Sequence, residues 1–369
     1  MLLPQPTAEA IAHSARVIRH IKREIEATGG WMSFARYMEL ALYAPGLGYY
    51  SAGAGKFGVT GDFVTAPEIS ALFGHALARP VGEAIRQTGG DILEIGAGSG
   101  KLALDLLREL GRMDALPARY LILELSADLR ERQQMLFHDR APEFASRVLW
   151  LNELPAKHRG VVFGNEVLDA MPVHLIHWDD GQVFERGVIA RGNSFAWADR
   201  PISNEPLRIA VARMAPGDDY VSEVSLAIPA FVRTVGSTIT DGCAIFIDYG
   251  FLRDEFYHPQ RNRGTLMCHY RHRANDDPFY LPGLQDITAH VDFSAVIDAG
   301  GAAGLRVVEF CSQARFLIDC GITDLLAQKD PRDAAAYLPL ANQVQRLLSP
   351  AEMGELFKVV VFRGGGEQL

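Results

Sequence analysis

The chain has 369 residues, enough for one large α/β domain with insertions or for two domains. With 48% apolar and 22% charged residues its composition is globular, which excludes disordered, collagen-like and coiled-coil classes. A formal net charge of -9 disfavours a broad phosphate-binding surface, so nucleic acid is not expected as a partner and a basic protein partner is favoured.

In chain order, the spacing of Ile11, Val17, Ile18, Ile21 and Ile25 predicts an amphipathic helix over 7–28, ended by Gly29 and Gly30. A second helix is expected over 31–42, stopped by Pro45 and Gly46. The stretch that follows is rich in glycine and interleaved with Tyr49, Tyr50, Phe57 and Phe63, which suits either a turned cap on a sheet or a lid against a ligand. Helical signals resume at Pro67, with Glu68 in the first turn, and continue through Leu72 to Ile85.

From Asp91 onward, seven apolar runs read as strands: 92–96, 120–125, 147–151, 161–165, 243–249, 305–310 and 357–362. Being apolar throughout, they imply a largely parallel sheet covered on both faces, with the last two runs expected as an antiparallel pair. A long helical region is expected over 316–353. Two insertions interrupt the pattern. The first, 174–240, carries a hairpin signal at Asp180-Gly181, and the second, 251–292, is irregular; both are placed to build a pocket for a second substrate beyond the strands' carboxyl ends.

The stretch 91–107, DILEIGAGSGKLALDLL, reads as strand, glycine turn, helix. Glycines there let backbone N–H groups approach a polar or anionic ligand, and the helix presents its positive end to it. A phosphate-cradling loop fails, because Ile95 and Leu102 stand where glycine and Ser or Thr are needed. A dinucleotide fingerprint fits Gly98, Gly100 and Ala103, so a nicotinamide-dependent reading stays open beside a methyl-donor reading on Glu94, Gly96, Gly98 and Gly100.

Glu124 ends the second strand, where a carboxylate can take both ribose hydroxyls of an adenosine group. Asn152, past the third, is placed for an adenine amino group or for a turn. After the fourth strand, Asn165, Glu166 and Asp169 crowd polar groups onto a corner that Pro172 cuts short; Glu166 and Asp169 are read as a carboxylate pair holding a cationic nucleophile, or as helix caps. Asp248 ends the fifth strand in the same layer and is read as a further residue lining the pocket, and His290 as a packed residue or an acid/base group. Cys268, His269 and His272 lack further ligands at defined spacing, so no metal is expected. The four cysteines show no C-x-x-C pair, and no disulfides are expected. No apolar run reaches the length of about 18 residues that spans a bilayer, and no signal core is seen, so membrane insertion is not expected and a cytoplasmic setting is.

The segments LYAPGLGYYS, GDFVTAPEIS, LEIGAGSGKLA, FGNEVLDAMPVH, AIFIDYG and DITAHVDF, in this order, resemble the MidA family of S-adenosylmethionine-dependent methyltransferases. The resemblance runs from about residue 31 to 362, and GDFVTAPEIS and FGNEVLDAMPVH are its most specific parts. It implies an α/β, seven-stranded class I methyltransferase, Rossmann-like, with an N-terminal helical and lid region over 1–85 and the methyltransferase domain with its insertions over 86–369. It implies S-adenosyl-L-methionine as cofactor, held by Glu94, Gly96, Ala97, Gly98, Gly100, Glu124, Asn152 and Asn165, with Asp62, Phe63 and Thr65 in a lid, and Glu166 and Asp169 as catalytic residues.

The mitochondrial members of that family are the protein arginine methyltransferase and complex I assembly factor. The resemblance therefore implies a protein acceptor bearing an arginine, such as a subunit of NADH:quinone oxidoreductase, and a mitochondrial matrix setting if the chain is eukaryotic. A small-molecule methyltransferase, and an assembly factor that binds the donor and docks a client without essential catalysis, remain alternatives. The oligomeric state is open, a homodimer included.

Overall fold

The structure, a computed structural model, describes residues 3–52, 65–212, 214 and 216–365. The chain divides into two compact units, one formed by Met1–Phe63, Asp169–Ala230 and Phe251–Ala295, the other by Val64–Leu168, Phe231–Gly250 and Val296–Leu369.

The second unit holds the expected seven strands: β1 (Asp91–Ile95), β2 (Tyr120–Leu123), β3 (Val148–Leu151), β4 (His158–Asn165), β5 (Ile239–Phe251), β6 (Arg306–Ser312) and β7 (Phe357–Gly364). Their order across the sheet is β6-β7-β5-β4-β1-β2-β3. β3, β2, β1, β4 and β5 run parallel, while β7 is antiparallel to both β5 and β6. The parallel strands read as unbroken apolar runs because both faces are covered: Ile92, Leu93, Val161, Val162, Phe163, Phe246 and Ile247 are all fully buried. The two central helices, α1 (Ala71–Thr88) and α2 (Lys101–Arg112), supply Phe73, Leu77, Val81, Leu102, Leu106 and Leu110 to the same core.

Register aligns the carboxyl ends of the strands. Ile95 stands opposite Leu123 and Gly164, Leu123 opposite Leu151, and Ile247 opposite Asn165. Residues 96, 124, 152 and 166 therefore follow their strands, and Asp248 lies in β5 just past the residue paired with Asn165, all at the carboxyl end of the parallel strands, where open parallel sheets bind ligands.

The region 316–353 is broken into the helices Ile322–Ala327 and Ala334–Leu348, preceded by Gln313–Asp319, instead of running as one. Gly321, at φ +88°, turns the chain between the first two helices, and Pro331 lies in the second break.

In the first unit, the helix Ala8–Ala27 begins with the Thr7 hydroxyl accepting from the Ala10 N–H and buries Val17, Ile21 and Ile25, as the apolar spacing predicts. The next helix is Phe34–Tyr43, shorter than expected at its start. Met32 and Ser33 instead pair with Val188 and Gly187, and the Ser33 hydroxyl then caps the helix by accepting from the Arg36 N–H. The hairpin forms as read. His174–Asp179 pairs with Gln182–Arg191, closed by Asp180 and Gly181 at φ +48° and +69°, the positive pair a type I′ turn requires. The stretch expected to be irregular contains a small antiparallel sheet, Arg273–Asn275, Met267–Tyr270 and Asp286–Thr288. Val17, Phe34, Tyr37, Leu175, Val188, Phe195 and Ile287 share this unit's core.

Candidate functional site

The glycine turn after β1 has the backbone its sequence calls for. Gly96, Gly98 and Gly100 stand at φ +67°, +55° and +81°, which side chains rarely tolerate. The Gly96 N–H donates to the Leu123 carbonyl at 3.0 Å, and the Gly100 N–H to that of Ala97 at 2.8 Å. Ala97 is buried beneath the turn. Gly100 then caps α2, and the Ser99 hydroxyl donates to the Glu68 carboxylate.

Glu94, on β1 just before the turn, is buried, with its Oε2 accepting from the Tyr120 hydroxyl at 2.8 Å. Burial pushes its carboxyl up to about 7, against the pull of the Tyr120 hydrogen bond; the nearby Glu124 carboxylate pushes the same way as burial.

Glu124 follows β2 and is 8% exposed. Its Oε1 accepts from the Ser126 N–H at 2.9 Å and its Oε2 from the Gln133 amide at 3.1 Å. Burial raises its pKa, opposed by those two hydrogen bonds. A cleft of about 250 Å³ opens beside it, lined by Glu124, Leu125, Ala127, Arg130 and Asn152. Arg130 ties the second and third strand ends together by donating to the Leu151 carbonyl at 2.7 Å and to that of Glu124 at 3.4 Å. A carboxylate held on its protein side by N–H donors can still accept from a vicinal diol across the cleft.

At the end of β4, Glu166 has φ +54°. This left-handed conformation costs a non-glycine residue about 1–2 kcal/mol and persists only where surroundings enforce it. Here the Glu166 N–H donates to the Ile247 carbonyl at 2.9 Å. Its Oε1 accepts from the Asn165 amide at 2.9 Å and from the Ala66 N–H at 3.3 Å. Asp248, fully buried, supports the corner: its Oδ2 accepts from the Leu168 N–H at 2.8 Å and its Oδ1 from the Tyr249 N–H at 3.0 Å.

The structure thus gathers Glu94, Gly96, Ala97, Gly98, Gly100, Glu124, Asn152, Asn165 and Glu166 into one unit. Thr65 is also there, preceding the short helix Ala66–Ile69 without a side-chain cap bond. Asp62 and Phe63 lie outside the described residues. Asp169 is the first residue of the other unit's second segment; it is buried, and its carbonyl accepts from the Ala289 N–H at 3.0 Å. His290 is also in that unit, and burial together with Arg261 lowers it to about 4, so it is neutral at pH 7. Sequence reasoning missed Gln133, Ser99, Glu68 and Arg130, which brace the turn and the cleft.

Residues 76–311, more than half of the chain, match a family described as "Putative S-adenosyl-L-methionine-dependent methyltransferase". The chain belongs to this family. Its methyl donor is S-adenosyl-L-methionine, and the seven-stranded sheet with its glycine turn is the corresponding fold.

A crystal structure from Burkholderia thailandensis bound to S-adenosyl-homocysteine superposes with a TM-score of 0.96 at 50% identity, covering 100% of this chain and 96% of that one. The rat protein arginine methyltransferase NDUFAF7, mitochondrial, is 27% identical over 390 residues, covering 94% of this chain and 84% of its own length. The Drosophila melanogaster homolog is 27% identical over 406 residues, covering 98% and 88%.

The donor is a sulfonium cation carrying an adenosine and an amino-acid group, and this unit offers what such a molecule needs. The turn runs through three positive-φ glycines, of which Gly96 is exposed and Gly98 half-buried, and a buried carboxylate borders a cleft of about 250 Å³. Among the described residues, no group of three or more His, Cys, Asp or Glu is placed to hold a metal ion. No helix among them is long and apolar enough to cross a membrane.

Proposed function

We propose that this methyltransferase acts on an arginine side chain of a partner protein. Glu124 would take the donor's ribose hydroxyls, Asn152 its adenine edge, and Gly96 to Gly100 its amino-acid end, with Glu94 beneath the turn, Asn165 at the neighbouring strand end and Thr65 opening the segment opposite Glu166. The relatives named protein arginine methyltransferase, which match over nearly the whole chain, support the acceptor class.

The observation that carries the proposal is Glu166, a glutamate held left-handed at the carboxyl end of a parallel strand. Arginine is a weak nucleophile because its guanidinium is protonated and delocalised. A fixed carboxylate grips two of its N–H groups and leaves the third nitrogen to be aligned with the reacting carbon. The donor, when bound, supplies the electrophilic methyl group. Glu166 supplies orientation and charge. Asp169, the second carboxylate of the sequence pattern, is proposed for the acceptor on the sequence alone.

Glu166→Gln separates these roles. Affinity for S-adenosyl-L-homocysteine, measured calorimetrically, should stay within about threefold of wild type. Transfer of labelled methyl to arginine in a lysate from which the enzyme is deleted should fall by about a hundredfold or more. Unchanged transfer by the variant, or label found on a residue other than arginine, refutes the assignment.

A further inference from the structure

Gln133 lies outside the sequence motifs quoted above, yet it is fully buried and touches both the glycine turn and Glu124. It sits on the helix Ala127–Arg140. Its Nε2 donates to the Gly98 carbonyl at 2.8 Å and to Glu124 Oε2 at 3.1 Å, and its Oε1 accepts from the Trp150 indole at 2.8 Å. Its aliphatic stem fills the space beside Gly100, where a Cβ would meet Gln133 Cγ at 3.2 Å.

The amide orientation is not arbitrary. Indole Nε1 can only donate, so the amide oxygen must face Trp150 and the NH₂ must face Gly98 and Glu124. We propose that Gln133 is a positioning residue of the donor site, coupling the glycine turn to the ribose-binding carboxylate through one clamped amide. One hydrogen holds the middle of the turn. The other occupies one Glu124 oxygen while the Ser126 N–H occupies the second, which fixes the carboxylate plane and directs its remaining lone pairs to the cleft. Trp150, on β3, locks the amide from behind. Sites need such support because a loosely held group spends binding energy on its own ordering.

The inference rests on the reading of Glu124 and the turn as the donor site, and the test keeps the two apart. Gln133→Glu preserves shape but puts a carboxyl oxygen where the amide NH₂ stood. Above its pKa that carboxylate would face the Gly98 carbonyl and the carboxylate of Glu124, itself near Glu94 on β1, while its own helix carries Arg130, bonded to the Glu124 and Leu151 carbonyls, and Arg132, paired with Asp128. Protonation restores a donor.

Calorimetric affinity for S-adenosyl-L-homocysteine is measured with the full chain between about pH 5.5 and 8.5 and taken relative to the wild type at each pH, which cancels the titration of Glu94 common to both proteins. In Gln133→Glu it should fall by about tenfold or more over that range and approach wild type at the acid end. A loss independent of pH, or none, overturns the proposal, since a packing defect would not track protonation.

Gln133→Met covers the case in which the charged variant does not fold at high pH. Combined with Glu124→Ala, it should lose little beyond the larger single effect if it acts through Glu124; full additivity refutes the coupling. If Glu124→Ala alone binds as wild type, the site reading fails; if it weakens binding while Gln133→Glu shows no pH dependence, only the present inference fails.

Discussion

Glu94→Gln should stabilise the protein, and more so at high pH. The wild-type carboxyl is buried beneath the glycine turn and titrates at about 7, against 4.5 for a glutamate in water. Because the folded value is the higher one, the stability Glu94 contributes is fully present below 4.5 and is lost as the pH rises through 7. At about 1.4 kcal/mol per tenfold in proton affinity, ionisation costs the fold about 1 kcal/mol at pH 5 and about 3 kcal/mol at pH 8.

Glutamine keeps the shape and an oxygen to accept from the Tyr120 hydroxyl, so it removes the titration without opening a cavity. Urea titrations of wild type and variant by circular dichroism, at pH 5 and pH 8, read the difference directly. Other buried acids such as Glu223 and Asp292 titrate in both proteins and cancel. The variant's advantage should grow by about 2 kcal/mol between the two pH values. Parallel curves would show that Glu94 is already ionised in the fold and that the Tyr120 hydrogen bond outweighs burial.

Gly98→Val places a β-branched side chain at φ +55°, and binding of S-adenosyl-L-homocysteine should fall below detection by calorimetry; retained binding would mean that the turn does not hold the donor. The four cysteines are free thiols, and burial pushes Cys243 up to about 11, Cys311 and Cys320 up to about 12, and Cys268 upward as well. At pH 8 the three buried thiols, Cys243, Cys268 and Cys320, should therefore react with a disulfide reagent only on denaturation and the half-buried Cys311 slowly, whereas rapid reaction of more than one thiol in the native protein would contradict their burial.

The parallel strands were legible because burial on both faces writes itself into a sequence as unbroken apolar runs, as in Val161–Phe163 and Ala244–Ile247. The Asp180-Gly181 turn was legible because few residue pairs adopt two positive φ angles. What the sequence hid depends on partners far along the chain. Met32 and Ser33 leave the helical pattern to pair with Val188 and Gly187, and no local signal around Trp31 announces a strand so far along the chain. The sheet over 267–288 has strands of three or four residues, too short for a period of two to show. Gln133 lies in the polar run ERQQM, where nothing distinguishes the fully buried amide from its exposed neighbour Gln134. Its role exists only once Gly98, Glu124 and Trp150 are brought around it.

The corner at Glu166 combines a strained backbone with two carboxylates of different contacts. A capping carboxylate would satisfy the N–H groups of the turn, and here Asp248 does that by accepting from Leu168 and Tyr249. Glu166 is therefore not needed to cap those groups. It sits at φ +54°, where glycine would avoid a cost of about 1–2 kcal/mol, and the Ile247 carbonyl and buried Asp248 hold the backbone there. Stability alone would place glycine at this position. The Glu166 carboxylate accepts from the Asn165 amide and from the N–H of Ala66, at the start of a helix that Thr65 leaves without a side-chain cap, so Glu166→Gln, with donor affinity and methyl transfer read separately, decides between that cap and the acceptor role proposed for it.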